Sequence, residues 1–268
     1  MQRTLAILIV VLLAALSLSA TACEKNGATP AGAVDLEAAQ KAYEQGLLLR
    51  QQGRLEQALD KLSGAIKFNP EFADAYKERG NVFMDVGAGA MAMPDYEKAI
   101  SLDPNNAEYY SQRAKAFMMA GVPAMALLDF DQAIRLAPTN PAGYLNRGTA
   151  YDSIGDYAAA VEDFGEALRL NPKSAETYYN RGSMYLKLDQ FPQALGHFNE
   201  AIKLAPDMAN AYVSRAMAYA ATGRNTQADR DAQTAIQLGL QPDFVNARIE
   251  AVKARVKEIS EQLAGSGG

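Results

Sequence analysis

The chain reads as an all-α solenoid of about six helix pairs, and three observations predict it. Pro70, Pro104, Pro138, Pro172 and Pro206 recur at a constant thirty-four-position interval, with a looser sixth close near Pro242. Small and aromatic residues recur in the same register. Each copy holds two stretches of helical apolar spacing parted by a turn residue, as in Tyr144, Arg147, Gly148 and Tyr151, then Gly155, then Tyr157, Ala160, Phe164, Ala167 and Leu168. A fixed period of this length marks a stack of two-helix units, none of which buries its apolar face alone.

Within each copy the residue types follow from close packing. The first helix carries Tyr76, Tyr110, Tyr144, Tyr178 and Tyr212, and four residues later Gly80, Ala114, Gly148, Gly182 and Ala216. Phe83, Phe117, Tyr151, Tyr185 and Tyr219 follow. The second helix has Ala58, Ala92, Ala126, Ala160, Ala194 and Ala228 at one small position and Ala65, Ala99, Ala133, Ala167, Ala201 and Ala235 at another. Small residues let helices approach, and rings fill the remaining space. Glycine at the turn supplies the left-handed conformation that ends a helix. Asp189 replaces that glycine in the fifth copy, and Asn225 and Ala232 replace core aromatics in the sixth. Pro94 falls inside a second helix and is expected to kink or delay it. Pro123 and Pro192 fall near second-helix starts, where proline is tolerated.

Arg79, Arg113, Arg147, Arg181 and Arg215 share one first-helix position. Asp95, Asp129, Asp163 and Asp231 share a second-helix position at a constant offset from them, with His197 in place of the acid in the fifth copy. This predicts Arg–Asp bridges in copies two, three, four and six. After Pro242, Val245, Ile249, Val252, Val256, Ile259 and Leu263 form one stripe, so residues 243–264 are expected to be a helix, capped by Asp243, that closes the open end of the array. A dimeric coiled coil is the alternative for this stripe. Residues 265–268 form a glycine-rich tail.

The N-terminus reads as an address. Arg3 precedes an apolar run from Leu5 to Ala20, and Ala20-Thr21-Ala22 is a small-x-small cleavage pattern, so residues 1–22 are expected to be a signal peptide. The run is short for a membrane span. Cys23, the chain's one cysteine, follows at once. Leu18 to Cys23 resembles a bacterial lipobox, with Ala20 where leucine is usual, and the resemblance implies that Cys23 is acylated. Ordinary cleavage leaving a free thiol is the alternative. Residues 23–38 are expected to comprise this cysteine, a flexible tether and the entry to the first helix. Glu24 rather than Asp after the cysteine favours the outer membrane, facing the periplasm, over inner-membrane retention, and a soluble periplasmic or secreted protein remains the alternative.

The repeat residues resemble the tetratricopeptide repeat family over residues 39–242, as six copies at 39–72, 73–106, 107–140, 141–174, 175–208 and 209–242. The resemblance implies antiparallel helix pairs in a right-handed superhelix whose concave face is lined by first helices. It also implies a groove for a peptide or protein partner. Carried onto this chain, the groove positions are Lys77, Asn81, Met84, Lys115, Met118, Thr149, Asp152, Tyr179, Ser183 and Met217, with Gln112, Asn146, Asn180 and Ser214 at a neighbouring inner position. Asn and Gln can both donate to and accept from an extended peptide backbone. The carboxylate clamp of one family subtype is not expected, because Ala142 and Asn146 stand where two of its cations belong.

Other functions are disfavoured by composition. The chain has 26 basic and 31 acidic residues and no basic run, which argues against nucleic acid. One cysteine and one histidine cannot build a His/Cys metal site, and no catalytic constellation or cofactor motif stands out. The chain is therefore expected to be a non-catalytic scaffold of the bacterial envelope, anchored by lipid, without a cofactor. Its expected role is assembly of envelope complexes. Self-association through the C-terminal helix, giving a homo-oligomer with a structural role, is the alternative function.

Overall fold

A computed structural model describes residues 34–265. The signal-peptide segment, Cys23 and the tether lie outside the described residues, as does the end of the tail. The described chain holds thirteen helices and no strands. They are α1 (Leu36–Gln51), α2 (Leu55–Phe68), α3 (Ala73–Asp85), α4 (Gly89–Leu102), α5 (Ala107–Met119), α6 (Pro123–Leu136), α7 (Pro141–Ser153), α8 (Tyr157–Leu170), α9 (Ala175–Lys187), α10 (Phe191–Leu204), α11 (Ala209–Ala221), α12 (Asn225–Gln237) and α13 (Pro242–Gly265). The expected six helix pairs and C-terminal helix are present. They fall into two compact units, residues up to Ala137 with α1–α6 and residues from Pro138 with α7–α13.

The signature residues meet one another. Tyr76, Tyr110, Tyr144 and Tyr212 each donate from the hydroxyl to the carbonyl of the proline six residues earlier, at 3.1–3.3 Å. The ring thus lies in the pair while its polar tip ties the helix to the preceding turn. Each turn residue in the left-handed region, Gly53, Gly87, Gly121, Gly155, Asp189 and Gly223, lets the next amide return to a carbonyl in the last turn of the first helix, as Asp156 N does to Tyr151 O at 3.0 Å. Asp189 has φ 56°, a conformation in which a Cβ crowds the backbone. Asp189→Gly is therefore expected to stabilise the second unit by about 0.5–1 kcal/mol, read as a rise in its urea midpoint.

Pro94 behaves differently from expectation. Helix α4 starts at Gly89, in register with the other second helices, so it is not delayed. Pro94 and Ala90 are both exposed, so water can satisfy the Ala90 carbonyl that lacks its ladder donor. Pro123 is the first residue of α6 and Pro192 the second of α10, where no intrahelical donor is needed.

All four Arg–Asp bridges form, each with Nε and Nη2 on the two carboxylate oxygens, at 2.6–2.8 Å. Asp95, Asp129, Asp163 and Asp231 are buried between the paired helices. The guanidinium also reaches the second helix of the preceding copy: Arg79 Nη1 donates to Ser63 Oγ at 3.1 Å, and Arg215 Nη1 to Asn199 Oδ1 at 2.7 Å. In the fifth copy both acceptors are missing. His197 replaces the acid, and Gly165 stands in α8 where Ser63 and Asn199 stand in α2 and α10. Arg181 instead lies 5.6 Å from the Tyr185 ring, and its buried Nε has no hydrogen bond.

Helix α13 is a first helix without a second. Val245, one full repeat after Ala211, is buried like it, and with Ile249 it seals Val213, Ala216, Ala220, Ala228 and Ala232. The face that would receive a paired helix carries Asn246, Glu250 and Lys253, where α11 carries Tyr212, Ala216 and Tyr219. The helix starts at Pro242, so Asp243 lies in its first turn rather than at the cap. It runs 24 residues against 13 for α11, and Ile259 is exposed.

Candidate peptide-binding face

In the first unit the predicted groove residues at the α3 end are engaged internally. Lys77 is 8% exposed, and its ammonium lies 3.0 Å from Glu78, 3.4 Å from Glu108 and 3.6 Å from Asp74. Burial alone would lower its pKa. The hydrogen bond and charge of Glu78, with Glu108 and Asp74, outweigh that and raise it. Asn81 is 7% exposed: its carbonyl accepts from the Tyr96 hydroxyl at 2.9 Å and its amide donates to Glu78 at 3.1 Å. Glu78 also binds Arg50, which holds Asp85 through Nε and Nη2. Burial pushes the Tyr96 hydroxyl above its usual range, which keeps it a donor. This network joins α1, α3, α4 and α5, and Lys77 and Asn81 are held within it. On α5, Gln112 is half-buried and Lys115 exposed.

In the second unit the expected residues come together. Thr149 on α7, Tyr179, Asn180 and Ser183 on α9, and Ser214 on α11 line one open cleft of about 450 Å³. Its floor includes Phe164, Met184, Leu186 and Met217. Asn146, half-buried on α7, does not line it. Thr149 donates to the Leu145 carbonyl and Ser183 to the Tyr179 carbonyl, each at 2.9 Å, so both hydroxyls remain acceptors. Ser214 is buried, and Tyr179 is tilted against Phe198. Such a cleft offers donors, acceptors and an apolar floor to an extended backbone, and no nucleophile beside a base.

Three charged residues complete it. Asp152 and Lys187 form an ion pair across α7 and α9, and Lys187 Nζ lies 4.9 Å over the Tyr157 ring. Arg248, from α13, closes the third side. It escaped the groove positions read from the sequence, although it stands one full repeat after Ser214, in the row Gln112, Asn146, Asn180 and Ser214. Continuing the period past the last complete copy would have found it.

His197 lies outside this cleft. Its ring stacks on Tyr185 at 5.2 Å, and burial, with Arg181 beside it, pushes its pKa down to about 4. Among the described residues no three His, Cys, Asp or Glu side chains are placed to hold a metal ion. None of the described helices is long and apolar enough to cross a membrane.

The tetratricopeptide repeat family matches residues 145–209 and 179–243, with further repeat matches at 46–87 and 73–106. The chain belongs to this family, whose members are scaffolds for protein–protein interaction. Among solved structures it is similar to MamA, at 26% identity over 63% of this chain and 92% of that one, with a TM-score of 0.58. It is similar in fold to PilF of Pseudomonas aeruginosa, at 20% identity over 82% and 98%, with a TM-score of 0.68. YrrB, described as a TPR protein with an unusual peptide-binding site, matches at 22% identity over 74% and 97%, with a TM-score of 0.58. Among curated protein sequences nothing matches this chain.

Proposed function

We propose that this protein is a non-catalytic adaptor that holds an extended segment of a partner protein in the cleft of its second unit. The observation that carries this is the gathering of Thr149, Tyr179, Asn180, Ser183 and Ser214 around one open, partly apolar cleft on the first helices. The peptide-binding site named for YrrB supports the reading by analogy. The lipobox-like Leu18 to Cys23 supports a lipid anchor that holds the adaptor at a bacterial membrane, the outer membrane facing the periplasm, where it assists envelope-complex assembly. Acyl chains anchor by burying methylenes at roughly 0.8 kcal/mol each.

The full chain used as bait in an envelope extract is expected to capture a partner that Tyr179→Ala/Asn180→Ala fails to capture while keeping the parent's helical spectrum and melting curve. Equal capture by both would remove the cleft from the function. Cys23→Ala is expected to shift the protein from the membrane to the soluble fraction, and tight retention of that variant would end the lipid-anchor reading.

One observation favours a second reading. The end of α13 outruns the array and leaves Ile259 exposed, a surface for self-association. Sedimentation equilibrium that finds only monomer removes it.

A further inference from the structure

The cleft selects one chemistry in its ligand, an inference that rests on the peptide-binding reading above. Its polar groups differ in what they have left to offer. Asp152 and Lys187 neutralise each other. Thr149 and Ser183 direct their hydroxyl protons to their own helices. Asn180 and Arg248 make no hydrogen bond to another side chain among the described residues, so their donors remain open to a ligand. Arg248 is an exposed guanidinium with no carboxylate partner among those residues.

Arg248 is also well placed to act as a fixed anchor. The chain around it is pinned by Val245 and Ile249, 0% and 2% exposed, so its backbone cannot drift. Its guanidinium sits 5.3 Å from the Phe244 ring, which leaves the planar donor fork open while limiting where it swings. The acid nearest in sequence does not compete: Glu250 binds Lys253, as does Asp229 of α12. The row in which Arg248 stands runs Asn180, Ser214, Arg248, one repeat apart, along successive first helices. An extended peptide laid along that row meets an amide, then a hydroxyl, then a cation.

We propose that the peptide held here carries one acidic side chain, Asp or Glu, bound by Arg248, while Asn180 pairs with its backbone. A planar carboxylate matches the guanidinium fork in a bidentate pair. A single cation suits one side-chain carboxylate. It does not suit a multi-cation clamp on a chain terminus, because Lys187 is already neutralised.

The test uses the full chain, immobilised and panned against a displayed library of random twelve-residue peptides, beside Arg248→Gln and Asn180→Ala. Circular dichroism melts check that both variants fold. Enriched peptides are expected to share an Asp or Glu at one position. A synthetic copy with that acid changed to its amide is expected to bind at least tenfold more weakly to the parent, and equally to Arg248→Gln. Enrichment that Asn180→Ala abolishes, but with no acidic position and no effect of Arg248→Gln, would overturn the acidic ligand and leave the cleft standing. No enrichment, or enrichment indifferent to both variants, would overturn the cleft itself.

Discussion

Phe198→Ala is expected to lower the unfolding free energy of the second unit by about 3–5 kcal/mol, the usual cost of emptying a buried aromatic site. Phe198 is 0% exposed and holds the position of Leu62, Tyr96, Phe130 and Phe164, each of them 0–1% exposed. Its ring lies against Gly182, where a Cβ would come within 2.8 Å of it. The same geometry recurs at Gly148 with Phe164 and at Gly80 with Tyr96, at 2.8 and 2.7 Å. The glycine and the ring are therefore one contact, and the first helix cannot collapse into the space the ring leaves without moving as a body. In a stack that loss is felt by both neighbours. Urea unfolding should show a lower midpoint with little change in slope. A cost below about 1 kcal/mol would mean that the ring is dispensable to the packing. The sixth copy has Ala232 here, and α13 makes good the loss with Val245 and Ile249.

His197→Asp is expected to do the opposite and stabilise by about 1–2 kcal/mol at neutral pH, since it gives the buried Arg181 Nε the acceptor its equivalents have. The aromatic neighbours do not stand in the way: Arg147 binds Asp163 while lying 5.9 Å from both Tyr144 and Tyr151. The substitution should also change the pH profile. Burial and Arg181 hold the His197 pKa at about 4, below its unfolded value of about 6.5. The unfolded state thus takes up the proton first. The parent keeps this stability above pH 6.5 and loses it as pH falls towards 4, by up to about 3 kcal/mol before solvent screening reduces the figure. Thermal melts at pH 7.5 and pH 5 should separate for the parent and separate less for His197→Asp. Equal shifts in both would place the acid sensitivity elsewhere.

The fold was legible because each diagnostic residue has a partner at a constant offset. A tyrosine six residues after a proline and an arginine a fixed count before an aspartate are written in the chain itself. The site was legible only where register decides exposure. Lys77 and Asn81 occupy groove positions by count, but Glu78 and Tyr96 draw them inward, and that depends on which neighbours in α1, α4 and α5 reach them. Arg248 escaped notice for another reason. The two-residue slip of Pro242 made α13 look like a cover, although its buried Val245 keeps the repeat count from Ala211. Pro94 leaves the start of α4 in register because solvent, not sequence, decides what an unpaired carbonyl costs.

The vacant positions around Arg181 bear on how the second unit yields to load. A coil in which each turn touches only the next stretches first where it is least cross-linked. Arg79 and Arg215 each bolt three helices together, whereas Arg181 meets Gly165 on one side and His197 on the other. Thr149 and Asp152 on α7 and Tyr179 and Asn180 on α9 come from the two helices that flank α8, and all four line the cleft. On the cleft side the Asp152–Lys187 pair ties α7 to α9 across the joint at Arg181, so the cross-link missing there is replaced by one at the cleft itself.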